Sequence, residues 1–494
     1  MAKINLSGNE AVARAALDAG CKLIAGYPGT PSSEVIGSLW DQAPAGVTVE
    51  WSVNEKVAFE QAGACAWAGQ RALCTMKMSG LNVAYDSVIS MAYSGCTGGM
   101  VLYVCDDPGV AAGMPEQDVR GFALMSDLPV LEPASVLESY TLTRYAFELS
   151  EAVGGIVMLR SVTNVAQSHA LVELPEAEAF TPREPVLIRD IMKYTKAGAK
   201  ICLDQHRDLI HRLAAAEAKI SADRLFDLEI PTGAQVGVVS VGVTNAFQSE
   251  AKALLAAQGL GIDVDKLAWL RLHGTLPLPA QAVEALLSAC QTVVVLEENE
   301  PYVEKALIVA AYQKRYPVRI LGKLTGPLSR IGSYQALTCA TGIAAAFGAE
   351  LPAGSAASDP AEAEALCCSR PIGVCAGCPH RGVYIGLNKA VKKLGYGKDE
   401  VMITGDIGCT ILGMSPPFHT LWTEVAMGAS IAMAQGYVHA GIKTPVFATI
   451  GDSTFMHGGM PPLLNAVQNQ TPITVIIMDN GWTAMTGKIG TAHV

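Results

Sequence analysis

Short apolar runs alternate with helix-compatible segments along nearly the whole chain, and this alternation restricts the fold more than any other feature. In the first region the runs fall at residues 22–25, 47–51, 72–76, 100–105, 130–132 and 155–159, separated by segments such as 55–69 and 135–151. Strand, helix and strand in succession predict βαβ units and a mostly parallel sheet. The stretch from 182 to about 230 is rich in charge and reads as a helical connector. Further runs at 236–241, 267–272, 292–297 and 318–321 predict a second α/β unit, and a Pro-, Gly-, Ser- and Ala-rich stretch at 351–359 reads as a linker. A third α/β unit begins near Pro371. The expected organisation is an α/β protein of three doubly wound units: domain 1–181, connector 182–235, domain 236–350, linker 351–370 and domain 371–494. No internal repeat of solenoid period is present.

Composition narrows the class. Of 494 residues, 50% are hydrophobic and 16% are charged, which fits globular domains with large buried surfaces and excludes a disordered chain. The net charge of −11, with no basic stripe, argues against nucleic acid as a partner. Two stretches without Asp, Glu, Lys or Arg, 88–105 and 425–442, approach one membrane span in length. Gly, Ser and other polar residues break both, so buried core elements are expected and no membrane association. The opening MAKINLSG has no apolar core of a signal peptide, and thirteen cysteines, an odd count, point to a reducing compartment, so the cytoplasm is expected. Cys375 and Cys378 form the one close pair with motif spacing; half a metal site, a redox pair and a tight turn all accommodate it.

The third unit holds the most informative motif. An apolar run at 444–450 ends in Gly451-Asp452-Ser453, a helix-like segment follows at 460–468, and a second run at 473–478 ends in Asp479-Asn480. Ligands of open α/β sheets bind outside the carboxyl ends of strands. Asp452 offers a hard carboxylate oxygen and Asn480 a neutral carbonyl oxygen. Two such ligands together with diphosphate oxygens suit Mg²⁺, which takes few protein ligands. A purely structural turn is the alternative.

Gly451-Asp452-Ser453 through Asn480 resembles the GDG…N signature of thiamine diphosphate enzymes. Gly26-Tyr27-Pro28-Gly29-Thr30-Pro31-Ser32-Ser33-Glu34 resembles an element of the 2-oxoacid:ferredoxin oxidoreductases. Val53-Asn54-Glu55-Lys56, Gly80-Leu81-Asn82-Val83, Asp106-Asp107-Pro108-Gly109, Glu116-Gln117-Asp118, Cys378-Pro379-His380-Arg381-Gly382, Gly405-Asp406-Ile407-Gly408-Cys409 and Thr483-Ala484-Met485-Thr486-Gly487 resemble one branch of that family, the indolepyruvate ferredoxin oxidoreductase alpha subunits. The resemblance spans essentially the whole chain. It implies a thiamine diphosphate-binding fold with a pyrimidine-type domain, a transketolase C-terminal-like domain and a pyrophosphate-type domain.

The resemblance also implies roles. Glu55 is the glutamate that hydrogen-bonds the aminopyrimidine and promotes loss of the thiazolium C2 proton; by position alone it is equally a first-turn carboxylate favouring a helix N-terminus. Cys378, His380, Gly408 and Cys409 surround the diphosphate, with Gly451, Asp452, Ser453 and Asn480 completing the cofactor set; core packing is the alternative for the cysteines. The metal contacts are Asp452, Asn480 and the backbone carbonyl of Trp482. Thr30 contacts the oxo acid, and Arg120 meets a carboxylate or coenzyme A, unless it is a solvated or salt-bridged arginine. His457, five residues past Asp452, is an acid or base facing the reacting carbon, or a structural histidine.

Two departures stand out. Met78 occupies the position that the branch usually gives to histidine in TMKHVGLN, which implies a drift in substrate choice. The family's alpha subunit carries cysteine motifs for two [4Fe–4S] clusters beyond this point, whereas here no CxxCxxCxxxCP run occurs and the sequence closes at Val494. The expectation is either a fragment or clusters on another polypeptide, with an uncovered sheet edge in the third unit. The implied reaction joins an aryl 2-oxo acid and coenzyme A and passes electrons to ferredoxin. The implied partner is a gamma-like (beta) subunit within a hetero-oligomer. A non-oxidative 2-oxo acid decarboxylase and a non-catalytic homologous subunit are the alternatives.

Overall fold

The computed structural model describes residues 2–40, 43–113, 115–176, 180–181, 183–352, 365–368, 373–485 and 489–490. Most of the expected linker, and residues 486 and 487 of the Thr483–Gly487 motif, lie outside them. The chain divides into two compact units, residues 1–362 and 363–494.

The first unit opens with β1 (Ala2–Ser7) and then β2 (Cys21–Gly26), β3 (Thr48–Trp51), β4 (Arg71–Lys77), β5 (Met100–Asp106), β6 (Val130–Leu131), β7 (Ile156–Val162) and β8 (His169–Leu174). β1 and β8 pair antiparallel as a separate ribbon. The other six form a parallel sheet in the order β6-β7-β5-β4-β2-β3. The strands β4, β5 and β7 are buried almost end to end, as strands covered on both faces must be. One face packs Phe59, Ala62, Met76, Met78 and Leu102 with their neighbours; the other packs Val12, Ile36, Leu73, Tyr103 and Phe147. Helix starts follow local chemistry. Ser7 and Glu10 form a reciprocal capping box, Asn54 accepts from the Val57 N–H, and Ser135 accepts from the Glu138 N–H.

The second sheet of this unit comprises β9 (Phe226–Glu229), β10 (Val236–Val241), β11 (Ala268–Leu272), β13 (Thr292–Leu296) and β14 (Arg319–Leu321), ordered β14-β13-β10-β11-β9. β12 (Gly274–Leu276) leaves this sheet and pairs antiparallel with β6, extending the first one. A Cβ at Gly274 would fall 2.2 Å from the Val130 carbonyl oxygen, so this pairing admits only glycine. One expectation needs correction. The second α/β element begins at Phe226 rather than at 236, because β9 adds antiparallel to β11. The charged connector contains the helix Ala199–Ala222, whose Leu209, Ala216 and Ile220 are buried in the cores of the first sheet. Its charge marks the outer face of an amphipathic helix.

The second unit is a three-stranded parallel sheet of β15 (Met402–Thr404), β16 (Val446–Gly451) and β17 (Thr474–Met478), in that order. The helices Pro379–Lys393 and Ala429–His439 pack Tyr384, Leu387, Ile431 and Ala434 against it. A two-stranded ribbon of β18 (Trp482–Thr483) and β19 (Ile489–Gly490) follows. Among the described residues no helix is long and apolar enough to cross a membrane. The stretch 88–105 ends one helix and forms β5, and 425–442 contains the helix Ala429–His439.

Candidate active site

In the first unit the chemistry-bearing residues gather at the carboxyl ends of β2, β4 and β5. The chain leaves β2 toward β3 on one side and returns to β4 on the other, so β2 and β4 flank the point where winding reverses. A crevice opens at such a point. Glu55 is the first residue of the helix Glu55–Trp67 and is 6% exposed. Its carboxyl group lies on Gly80, in the first turn of the helix Met78–Ser94. A Cβ there would meet Glu55 Cγ and Oε1 at 2.6 Å. The loop carrying Thr30 is held from below: Asn9 Nδ2 donates to the Pro31 carbonyl at 2.6 Å and to Glu34 at 2.8 Å, and Tyr103 donates to Asn9 Oδ1 at 2.7 Å. Ser33 Oγ accepts from the Gly29 N–H at 2.9 Å.

Several motifs that sequence places apart lock together here. Gln117 and Asn82 exchange side-chain amide hydrogen bonds at 2.9 and 3.0 Å, and Gln117 Nε2 donates to the Met78 carbonyl. Glu116 accepts from the Gly109 N–H at 2.8 Å, and Asp107 from Ala112 N–H and Thr163 Oγ1. Met78 itself is fully buried among Ala58, Leu81 and their neighbours.

Arg120 does not reach out to solvent. It is 1% exposed, and its donors serve Asp118, Glu297 and the carbonyls of Glu298 and Glu300 at 2.6–3.1 Å. A buried guanidinium needs each donor paired. Asp118 is two residues away, but Glu297, Glu298 and Glu300 lie far along the chain, so sequence alone could not show that Arg120 fastens the first sheet to the second. Asp118 is held below the usual carboxylate range: burial pushes it up, and the Arg120 and Arg160 charges more than reverse that.

In the second unit Asp452 and Asn480 follow adjacent parallel strands, β16 and β17, so both stand at one sheet edge. Asp452 is 8% exposed, and its Oδ2 is buried without a hydrogen-bond partner. Asn480 Oδ1 accepts from the Trp482 N–H at 2.9 Å, and its amide lies 3.4 Å from His380 Nε2. The Trp482 side chain is 56% exposed. Burial lowers the His380 pKa, opposed by the Asp452 charge, so the ring favours its neutral form. Ser453 Oγ accepts from Thr483 Oγ1 at 2.8 Å. Cys378 is the N-cap of the helix Pro379–Lys393, and its N–H donates back to the Cys375 carbonyl, so this CxxC closes a turn. Burial raises the Cys409 thiol, aided by the nearby Cys378 and Cys375. Gly408 has φ of 111°, which only glycine adopts readily. His457 is buried in the turn Phe455–Gly459.

Asp406, quoted only as part of a motif, organises this edge. Its carboxylate accepts from the N–H groups of Ile407, Gly428 and Ser430 at 2.8–3.0 Å, although burial still raises its pKa. An aspartate two residues past a strand was the signal. Among the described residues no group of three or more His, Cys, Asp or Glu is gathered for a metal ion. A cation shared with diphosphate needs fewer, and the partnerless oxygen of Asp452 beside an amide oxygen fits Mg²⁺.

Comparison with known proteins agrees with both halves. Residues 14–192 match the family model described as pyruvate flavodoxin/ferredoxin oxidoreductase, thiamine diP-bdg, and residues 406–493 match the thiamine pyrophosphate enzyme, C-terminal TPP binding domain. The chain is 35% identical to the indolepyruvate oxidoreductase subunit IorA of Pyrococcus abyssi and 37% identical to that of Methanothermobacter thermautotrophicus. In each case 98% of this chain and 76% of the relative are covered. The chain belongs to the IorA family of indolepyruvate oxidoreductase subunits. It is therefore an oxidoreductase subunit with thiamine diphosphate-binding domains. A 2-oxoglutarate:ferredoxin oxidoreductase from Magnetococcus marinus shares the fold, with a TM-score of 0.54 at 18% identity over 68% of this chain and 64% of that one.

Proposed function

We propose that this IorA-family chain decarboxylates an aryl 2-oxo acid of the indolepyruvate type. A 2-oxo acid, coenzyme A and two oxidised ferredoxins would give an acyl-CoA, CO₂, two reduced ferredoxins and a proton, with a gamma-like (beta) subunit as partner in a cytoplasmic hetero-oligomer. Bound thiamine diphosphate supplies a carbon nucleophile and a sink for the electrons left by CO₂. Glu55 would hold a proton against the aminopyrimidine from its buried place on Gly80. Asp452, Asn480 and the Trp482 carbonyl would bind Mg²⁺, and through it the diphosphate. Gly451, Ser453, Cys378, His380, Gly408 and Cys409 would line the diphosphate, with neutral His380 donating or accepting one hydrogen bond. Thr30 and His457 are the expected contacts to the reacting acid, whereas Arg120 keeps its structural partners.

The observation that carries this reading is the buried, partnerless Oδ2 of Asp452 beside Asn480 at one sheet edge. Such an atom is costly unless a cation completes it. Replacing Asp452 with Ala should abolish measurable binding of thiamine diphosphate with Mg²⁺ by calorimetry, with the circular dichroism spectrum unchanged. Wild-type affinity in the variant would refute the assignment.

A further inference from the structure

Lys77 closes β4 at the point where winding reverses, and no role was assigned to it above. It is 7% exposed. Among the described residues its ammonium makes one hydrogen bond, to the Gly113 carbonyl at 3.3 Å. The loop after β2 lies on its stem: a Cβ at Gly29 would fall 3.1 Å from Lys77 Cβ and 3.3 Å from Cγ and Cδ. The next residue, Met78, begins a 17-residue helix whose first turn has no side-chain cap. Burial lowers the Lys77 pKa, opposed by the charges of Asp107 and Glu55. A buried cation with three donors and one long hydrogen bond is under-satisfied, and it directly precedes the first turn of a helix.

We propose that Lys77 and the first turn of the helix Met78–Ser94 bind the carboxylate of the 2-oxo acid substrate. The inference rests on the proposed function and names the anion-binding side of that site. An ammonium and helix N–H groups suit a carboxylate in charge and in hydrogen-bond sense. The neighbouring Glu55 is the proton-handling group of the same crevice, so the carboxylate would be held where the reaction needs it. This ion pair exists only until CO₂ leaves, because loss of CO₂ discharges the anion. It therefore strengthens ground-state binding and gives no help to the bond-breaking step.

The test uses the holoenzyme with its partner subunit, thiamine diphosphate and Mg²⁺, comparing wild type with Lys77→Met and Lys77→Arg. Lys77→Met should raise KM for the aryl 2-oxo acid about 10–100-fold, the range set by losing one charge-assisted hydrogen bond. Its kcat, its KM for coenzyme A and its calorimetric affinity for thiamine diphosphate should stay near wild type. Lys77→Arg should restore part of the loss. Inhibition by the corresponding aryl aldehyde, which lacks the carboxylate, should not change in Lys77→Met. A rise confined to the KM for coenzyme A, a loss of cofactor affinity, or an equal loss of aldehyde inhibition would each overturn the role of Lys77. A wild-type holoenzyme that turns over no 2-oxo acid would instead overturn the proposed function, and this inference with it.

Discussion

At the scale of single residues, the contact between Glu55 and Gly80 is a tight constraint on the residues of the first unit. Gly80 leaves room for the carboxyl group, and any side chain there must displace it. Gly80→Ala should lower kcat/KM about 10²-fold, the loss expected from a misplacement on the order of 1 Å. Thermal stability should change little, since Ala favours the helix while the clash opposes it. Steady-state kinetics beside a melting curve separates these effects; wild-type kcat/KM would mean that this carboxyl position does not matter. Asp452 and Asn480 stood out in the sequence because each follows an apolar run, whereas Glu55 was singled out by the resemblance; the structure puts Glu55 at a helix start and the other two after β16 and β17. Lys77 carried the same mark, one residue past the run 72–76, and only its burial distinguished it from a solvated strand-end lysine.

At the scale of elements, the helix Ala199–Ala222 shows how pattern and context divide. Its charge density suggested a helical connector, and the structure adds a buried face: Leu209 is 3% exposed and Ala216 is fully buried. Leu209→Ala should destabilise the first unit by about 2–5 kcal/mol, because a buried leucine leaves a cavity. Denaturant unfolding measures this, and a loss below about 1 kcal/mol would return the helix to the status of spacer. The edge strands β9 and β12 escaped the sequence reading for a related reason. They span four and three residues and exist through pairing with β11 and β6. Nothing within so short a segment specifies a strand.

At the scale of the whole molecule, the first unit is held together by buried charge. Arg120 ties Asp118 of the first sheet's rim to Glu297, at the end of β13 in the second sheet. Glu298 beside it accepts from the Tyr334 N–H at 2.6 Å through Oε1, while Oε2 is buried without a partner. Burial pushes its carboxyl group up from 4.5 to about 7. Between those values the folded chain keeps a proton that the unfolded chain has lost. Stability therefore falls as pH rises through this window and levels off above it. Glu298→Gln cannot titrate, so it should gain stability relative to wild type as pH rises from about 5 to about 7. Urea midpoints at both pH values test this, and a constant difference between the two proteins would show that Glu298 titrates normally.

By itself the sequence determined the βαβ rhythm, the succession of the three sheets along the chain, and the polar residues that follow β16 and β17. These features are encoded in neighbours within a few residues, through side-chain periodicity. Only the tertiary structure decided that Arg120 is a buried bridge, that the charged helix belongs to the core, that β12 crosses to the first sheet, and that Lys77 lies beneath the Gly29 loop. Burial and pairing depend on which distant segment comes to cover a residue. Residues 29, 77 and 113 are separate in the chain and adjacent only once the sheet has wound.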